Sequence, residues 1–213
     1  MSASIVVVDY GMGNVASVLN AFARLGTPAR LSALPEEIAA ARQLVLPGVG
    51  AFGDAAAEID RRGLRQAILE AVRNGATLLG ICLGMQLLFE RSEENPDSRG
   101  LALLEGHVRR LPAHVRVPHI GWNCLEQVSA VPLLAGLRPG DYLYFVHSFY
   151  AEPAGGQAAA CVKYGIRFAA VAGDGRIWGV QPHPEKSQRV GETLLRNFVA
   201  LQPEVRSGDQ PHG

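Results

Sequence analysis

Thr77-Leu78-Leu79-Gly80-Ile81-Cys82-Leu83-Gly84-Met85-Gln86-Leu87-Leu88-Phe89 reads as a buried strand, a sharp turn with a cysteine at its tip, and a helix. Gly80 and Gly84 stand two residues to either side of Cys82, the small-x-nucleophile-x-small spacing of a nucleophile elbow. So tight a turn would force larger flanking side chains into the neighbouring strand and helix. It would present the thiol at a helix N-terminus, where the macrodipole favours a thiolate and free backbone N–H groups can bind an oxyanion. The same residues equally suit a cysteine buried in an apolar strand, the usual place of a free cysteine. The stretch alone leaves both readings open.

Upstream, strands and helices alternate. Ser4 to Asp9 is a short β-branched run suited to a strand buried on both faces. Val15 to Leu25 has apolar residues at helical spacing and is stopped by Gly26 and Pro28. Ala29 to Leu31 predicts a second strand, Leu34 to Ala41 a short helix, and Gln43 to Leu46 a third strand. Residues 54–73 predict a helix that Gly63 is placed to break, with Asn74-Gly75 at its end. The β-α-β-α order predicts a doubly wound, mostly parallel central sheet flanked by helices.

Two glycine-rich loops follow strands here. Gly11-Met12-Gly13-Asn14-Val15-Ala16 matches the Gly-x-Gly-x-x-Ala pattern of a dinucleotide-binding turn. The acid expected about twenty residues on, to hold a ribose, is missing: the chain reads Arg30-Leu31-Ser32-Ala33 there. A glycine turn or a ligand or partner contact remains. Pro47-Gly48-Val49-Gly50 ends the third strand, at the sheet edge where α/β proteins bind ligands.

Downstream the texture changes. Residues 91–99 are polar and read as a surface loop, and 101–127 as short β pieces broken by Gly and Pro. Val131 to Leu137 reads as a short helix and Tyr142 to Tyr150 as one aromatic strand. Gln157 to Tyr164, Arg167 to Gly173 and Arg176 to Gln181 read as successive strands, with a hairpin at Gly173-Asp174-Gly175. An additional antiparallel β segment is therefore expected in the C-terminal half. Residues 187–201 predict the last helix, and 202–213 a disordered tail. Residues 1–201 are expected to form a single domain.

The 213 residues carry 20 Lys+Arg against 20 Asp+Glu, so no net charge draws the chain to nucleic acid or an acidic membrane surface. Three cysteines without a Cys-x-x-Cys pair disfavour a disulfide framework and a zinc site. No metal or cofactor is expected. The absence of a basic leader and of a span of roughly 20 apolar residues leads to the expectation of a cytoplasmic protein.

A cysteine nucleophile needs a base and a group that orients it. Of six histidines, His183 stands out. It ends a strand, prolines on both sides stiffen its turn, and Glu185 follows two residues on. In an extended segment residues i and i+2 point the same way, so Glu185 can hold one ring nitrogen while the other faces Cys82. A loop histidine and an acid at a helix start are the plainer readings of each residue taken singly. Together with the elbow and the glycine loop they point to a triad.

Gly80-Ile81-Cys82-Leu83-Gly84-Met85-Gln86 with His183-Pro184-Glu185 resembles the triad-type, class I glutamine amidotransferases, and the resemblance covers essentially the whole chain. Asp9 to Asn14, Pro47 to Gly50, Pro118-His119-Ile120-Gly121-Trp122-Asn123, Phe145 to Tyr150 and His183 to Ser187 are similar to one branch of them, the glutaminase subunits of imidazole glycerol phosphate synthases. Pro182 stands where that family usually has Phe, which removes an N–H and an aromatic ring beside His183. The resemblance implies a class I fold and catalysis by Cys82, His183 and Glu185. It also implies an oxyanion hole from the backbone of Leu83 and of the Gly48-Val49-Gly50 loop, and glutamine contacts at Gln86, Ser148 and Phe149. The implied partner is a (β/α)8-barrel cyclase subunit in a heterodimer, met by Asn14, Trp122, Tyr144 and Lys186. The 48–50 loop is expected to turn a peptide over and complete the oxyanion hole when the partner is loaded. Other readings are a triad amidotransferase of another synthase (for pyridoxal phosphate or a surface sugar), a non-catalytic module of the same fold, and a cysteine peptidase or esterase.

Overall fold

The computed structural model describes residues 5–201 of the chain. Ser4, expected to start the first strand, and the tail expected over 202–213 lie outside them. Strands β1 (Ile5–Val8) and β3 (Gln43–Leu46) are buried at every position, as is β4 (Thr77–Ile81). Because side chains alternate along a strand, these short apolar runs feed two core layers. Val6, Val8, Leu44, Leu46 and Leu78 pack on one face under α2 (Pro35–Ala39), α3 (Phe52–Arg61) and α4 (Leu64–Arg73). Ile5, Val7, Val45, Leu79 and Ile81 pack on the other under α1 (Val15–Arg24) and α6 (Gln188–Ala200). The break expected at Gly63 separates α3 from α4, at a left-handed φ of 70°.

Five further strands complete the two ends of this sheet's order. They are β2 (Ala29–Ser32), β8 (Gln127–Val128), β11 (Ala158–Tyr164), β12 (Ile166–Asp174) and β13 (Ile177–Val180). The order is β2-β1-β3-β4-β13-β12-β11-β8 in one eight-stranded sheet. Strand β13 lies parallel to β4 and antiparallel to β12. The expected antiparallel segment thus continues the parallel sheet, and β13 brings the His183 turn beside the Cys82 turn.

Three sequence readings are corrected. The helix expected through Phe89 is only α5 (Leu83–Leu87), and β5 (Phe89–Ser92) follows at once, within what was read partly as loop. In a continuing helix the carbonyls of Leu87 and Leu88 would accept from Arg91 and Ser92. Instead Leu101 N–H donates to Leu87 O at 2.7 Å, and Leu103 N–H to Leu88 O at 2.8 Å. Strand β5 then pairs with β6 (Leu104–Arg110). The single aromatic strand is two: β9 (Tyr142–His147), paired with β7 (His119–Cys124), and β10 (Phe149–Pro153), paired with β6. Ser148 is the crossing point between the two sheets, its carbonyl bound by Leu111 N–H at 3.0 Å. Only Pro132–Leu134, a 3-10 turn, forms in the helix expected over 131–137.

Candidate active site

The C-terminal ends of β1, β3, β4 and β13 meet at one edge of the sheet, and the turns leaving them build the site. Cys82 sits between β4 and α5 at φ 55° and ψ −110°. This backbone is strained for a residue with a Cβ, and strain of this kind clusters at functional positions. The turn closes as the sequence requires. A Cβ on Gly84 would stand 1.8 Å from Leu46 O, and one on Gly80 2.5 Å from Gly84 O. Cys82 N–H donates to Val180 O at 2.8 Å, tying the elbow to β13. With five residues in α5, the macrodipole adds less than a full helix would, since fewer peptide units are aligned. The first-turn N–H groups, which have no intrahelical partner, are free to bind an anion.

His183 leaves the end of β13. Its N–H donates to Tyr144 O of β9 at 2.8 Å. Ser187 Oγ donates to His183 O at 2.6 Å and accepts from Tyr144 N–H at 3.0 Å. The His183 turn is therefore clamped on both sides to Tyr144, and the buried ring of Pro182 takes no part in that clamp. His183 Nδ1 hydrogen-bonds Glu185 Oε1 at 2.8 Å, which leaves Nε2 for the sulfur. The contact arises differently from the sequence expectation. Pro184–Lys186 is a 3-10 turn rather than extended chain, and it folds Glu185 back under the ring. Burial alone would lower the His183 pKa, but hydrogen bonds and charge from Cys82 and Glu185 outweigh it and raise it to about 9. The imidazole is thus held protonated at neutral pH. Among the described residues Glu185 Oε2 is buried without a hydrogen-bond partner, and the carboxylate's bond through Oε1 goes to His183.

A cavity of about 290 Å³ opens over the sulfur. Of the residues expected in the site, Cys82, His183, Leu83, Val49, Gly50, Gln86, Ser148, Phe149 and Lys186 line it. Gly48 does not. It lies beneath, where an added Cβ would stand 2.6 Å from Tyr10 Oη and 2.8 Å from Leu83 Cβ. Tyr10 Oη donates to Pro47 O at 2.8 Å, and burial followed by the charge at Cys82 pushes its pKa upward. Trp122 and Tyr144 lie outside the cavity, cross-strand partners on β7 and β9 with ring centroids 5.8 Å apart. Trp122 is 46% exposed and is joined by exposed Ile120 and Tyr142. Asn14 precedes α1 without capping it, leaving its side chain uncommitted there.

Sequence reasoning missed Glu94, Gln181 and two histidines. Glu94 lines the cavity, and its Oε2 accepts from Phe52 N–H at 2.8 Å while Asn95 Oδ1 accepts from Gly53 N–H at 2.9 Å. The pair caps the first turn of α3 from forty-two residues away. A polar loop carries no spacing signal for such a contact. His119 and His147 are buried with Nδ1 of the first 3.0 Å from Nε2 of the second.

The family model for Glutamine amidotransferase class-I matches residues 6–201. The chain belongs to this family. Among curated relatives, the imidazole glycerol phosphate synthase subunit HisH of Moorella thermoacetica is 48% identical over 92% of this chain and 94% of that protein. HisH of Bacillus subtilis is 46% identical over 94% of this chain and 97% of that protein. Solved structures agree on the amidotransferase fold. A glutamine amidotransferase superposes with a TM-score of 0.73 at 23% identity, over 92% of this chain and 97% of that one. The PurLQS structure from Thermotoga maritima does so at 0.72 and 18%, over 94% and 99%. No helix among the described residues is long and apolar enough to cross a membrane.

Proposed function

We propose that this chain is the glutaminase subunit of an imidazole glycerol phosphate synthase, with Cys82, His183 and Glu185 as its catalytic triad. The observation that carries the reading is one cavity holding an elbow cysteine and a histidine whose far nitrogen is fixed by a buried carboxylate. Cys82 sulfur attacks the side-chain amide carbon of glutamine. The oxyanion is bound by the N–H groups of Leu83 and the Val49–Gly50 segment. His183 passes its proton to the departing ammonia as the C–N bond breaks, leaving a glutamyl thioester. It then takes a proton from water, which hydrolyses the thioester to glutamate and returns the thiolate.

Both Nε2 hydrogens of Gln86 are used, at Phe149 O (2.9 Å) and Gln181 Oε1 (3.1 Å). Its own Oε1 is what it offers the substrate. Glu94 supplies the negative charge that the substrate's α-ammonium needs, and Ser148 and Phe149 line the same cavity. Ammonia then passes to a (β/α)8-barrel cyclase, which makes imidazole glycerol phosphate and an aminoimidazole carboxamide ribotide for histidine biosynthesis. The exposed Trp122–Tyr144 face, with Asn14 and Lys186, meets that partner. Gly50, at φ 101°, gives the 48–50 loop the freedom to complete the oxyanion hole only in the loaded complex. Free thiols fit a reducing cytoplasmic setting.

The test is Cys82→Ala in complex with the cyclase. Glutamine-dependent synthesis is expected to vanish while synthesis from free ammonia continues. Loss of both would make Cys82 an assembly residue and overturn the reading. For the loop, equal glutaminase turnover in the isolated subunit and the loaded complex would exclude gating.

A further inference from the structure

The nucleophile has a donor that the triad does not include. Gln181 follows β13 and is fully buried, with its backbone N–H on Ala170 O at 2.8 Å. Its side-chain Nε2 lies 3.7 Å from Cys82 Sγ, within range of an N–H···S hydrogen bond. The orientation of that amide is decided by the groups behind it. Phe149 O is a carbonyl and can only accept. Gln86 must therefore turn its NH₂ toward it, at 2.9 Å. The second Gln86 N–H then meets Gln181 Oε1 at 3.1 Å. Gln181 is left with its NH₂ facing the sulfur.

The same carbonyl accepts from His147 Nδ1 at 2.9 Å, which makes His147 Nε2 the acceptor for His119 Nδ1–H at 3.0 Å. Burial drives the His147 pKa down to about 3, so the ring is neutral at neutral pH, and the Phe149 carbonyl fixes its tautomer. Hydrogen bonds thus run from both sides into Phe149 O, and the branch through Gln86 ends as a donor on Cys82. Besides His183, the sulfur also has Val146 O at 3.7 Å, which can accept from a thiol but would repel a thiolate.

We propose that the Gln181 side-chain amide is a further catalytic group, an N–H donor to the Cys82 thiolate held in place by Gln86 and the Phe149 carbonyl. The inference rests on Cys82 being the nucleophile. The donor offsets the repulsion from Val146 O and aims the sulfur into the cavity. Other titratable groups around Cys82 are His183 with Glu185 from the turn after β13, Tyr10 after β1, His147 of β9, and Glu94 and Lys186 at the cavity wall. None of them replaces a neutral donor whose charge is constant with pH.

The experiment uses the intact complex with its cyclase and reads iodoacetamide alkylation of Cys82 against pH. Gln181→Met, similar in length but without a donor, is expected to move the alkylation profile up by about one pH unit. It is also expected to lower glutaminase kcat about tenfold with KM nearly unchanged. A profile superimposable on that of the unaltered protein overturns the proposal, whatever happens to kcat. Loss of the Gln86 partner can prevent Gln181→Met from folding. The unaltered protein then decides, through the Gln181 side-chain amide protons, assigned by their proximity to the Gln86 amide. Their resonances are expected to shift over the pH range in which Cys82 becomes alkylatable, and a flat titration overturns the proposal. Cys82→Ala separates the two levels: glutaminase surviving in that variant refutes the nucleophile itself, whereas its loss with an unmoved alkylation profile in Gln181→Met refutes only the donor.

Discussion

His183 is set by two opposing influences, burial against its hydrogen bonds to Cys82 and Glu185, and the second wins. Glu185→Gln keeps the shape and removes the charge, so the imidazolium should lose part of its support. Glutaminase activity is expected to fall roughly 10²-fold, the low end of what a positioned acid–base group contributes, and an unchanged rate would remove Glu185 from the triad. Glu94→Gln separates binding from chemistry. Its amide oxygen can still accept from Phe52 N–H, but the charge for the substrate ammonium is gone. KM for glutamine should rise roughly 10- to 100-fold, matching the 1.5–3 kcal/mol of a hydrogen bond to a charged group, with kcat little changed. Steady-state kinetics distinguishes this from a loss in kcat alone, which would place Glu94 outside the binding site.

At the scale of elements, the elbow depends on close approach between β3, β4 and α5. Gly84→Ala would push a methyl group to 1.8 Å from the Leu46 carbonyl in β3, where backbone rather than a flexible side chain must move. A loss of about 3 kcal/mol or more is expected, seen as a Tm lower by roughly 6–12 °C for a domain of this size. Gly26→Ala, where an added Cβ meets nothing within 4 Å among the described residues beyond its chain neighbours, should cost only the left-handed backbone preference, about 1–2 kcal/mol. Gly84 lies within α5 and has no left-handed φ, so a loss there no larger than at Gly26 would show that the Leu46 carbonyl yields to the methyl group. The β7–β9 ribbon makes the opposite kind of prediction. Trp122 is half exposed and packs edge-on against Tyr144. Trp122→Ala should weaken association with the cyclase by about 2 kcal/mol or more, measured by titration calorimetry. The Tm of the free subunit should barely move.

For the whole molecule, two buried histidines predict how stability depends on pH. His183 keeps its proton to about pH 9, against an ordinary 6.5. Between those values the folded chain binds more protons than the unfolded one, so stability falls as pH rises. His147 does the reverse. Burial holds it neutral down to about 3, so below 6.5 the unfolded chain takes up a proton that the folded chain refuses, and stability falls as pH drops. The urea midpoint should therefore peak near pH 6.5. The alkaline limb should flatten in Glu185→Gln, and a midpoint rising from pH 6.5 to 9 would contradict the His183 assignment.

Much of this was legible in the chain. The three buried parallel strands, the Gly63 break and the glycine-flanked cysteine are local patterns, decided by β-branched runs and by the lack of a Cβ at residues 80 and 84. The His183–Glu185 pairing was also readable, because the two are separated by one residue, though a 3-10 turn makes the contact. What the tertiary structure alone decided is contact between segments far apart in the chain. Leu101 and Leu103 claim the carbonyls that would have lengthened α5. Ser148 passes the aromatic run from one sheet to another. Glu94 reaches the cavity by capping α3, and Gln181 and His147 converge on the Phe149 carbonyl, directly or through Gln86. Residue type and spacing encode a turn or a strand, whereas a hydrogen bond across forty to a hundred residues depends on which surfaces the packed sheet brings together.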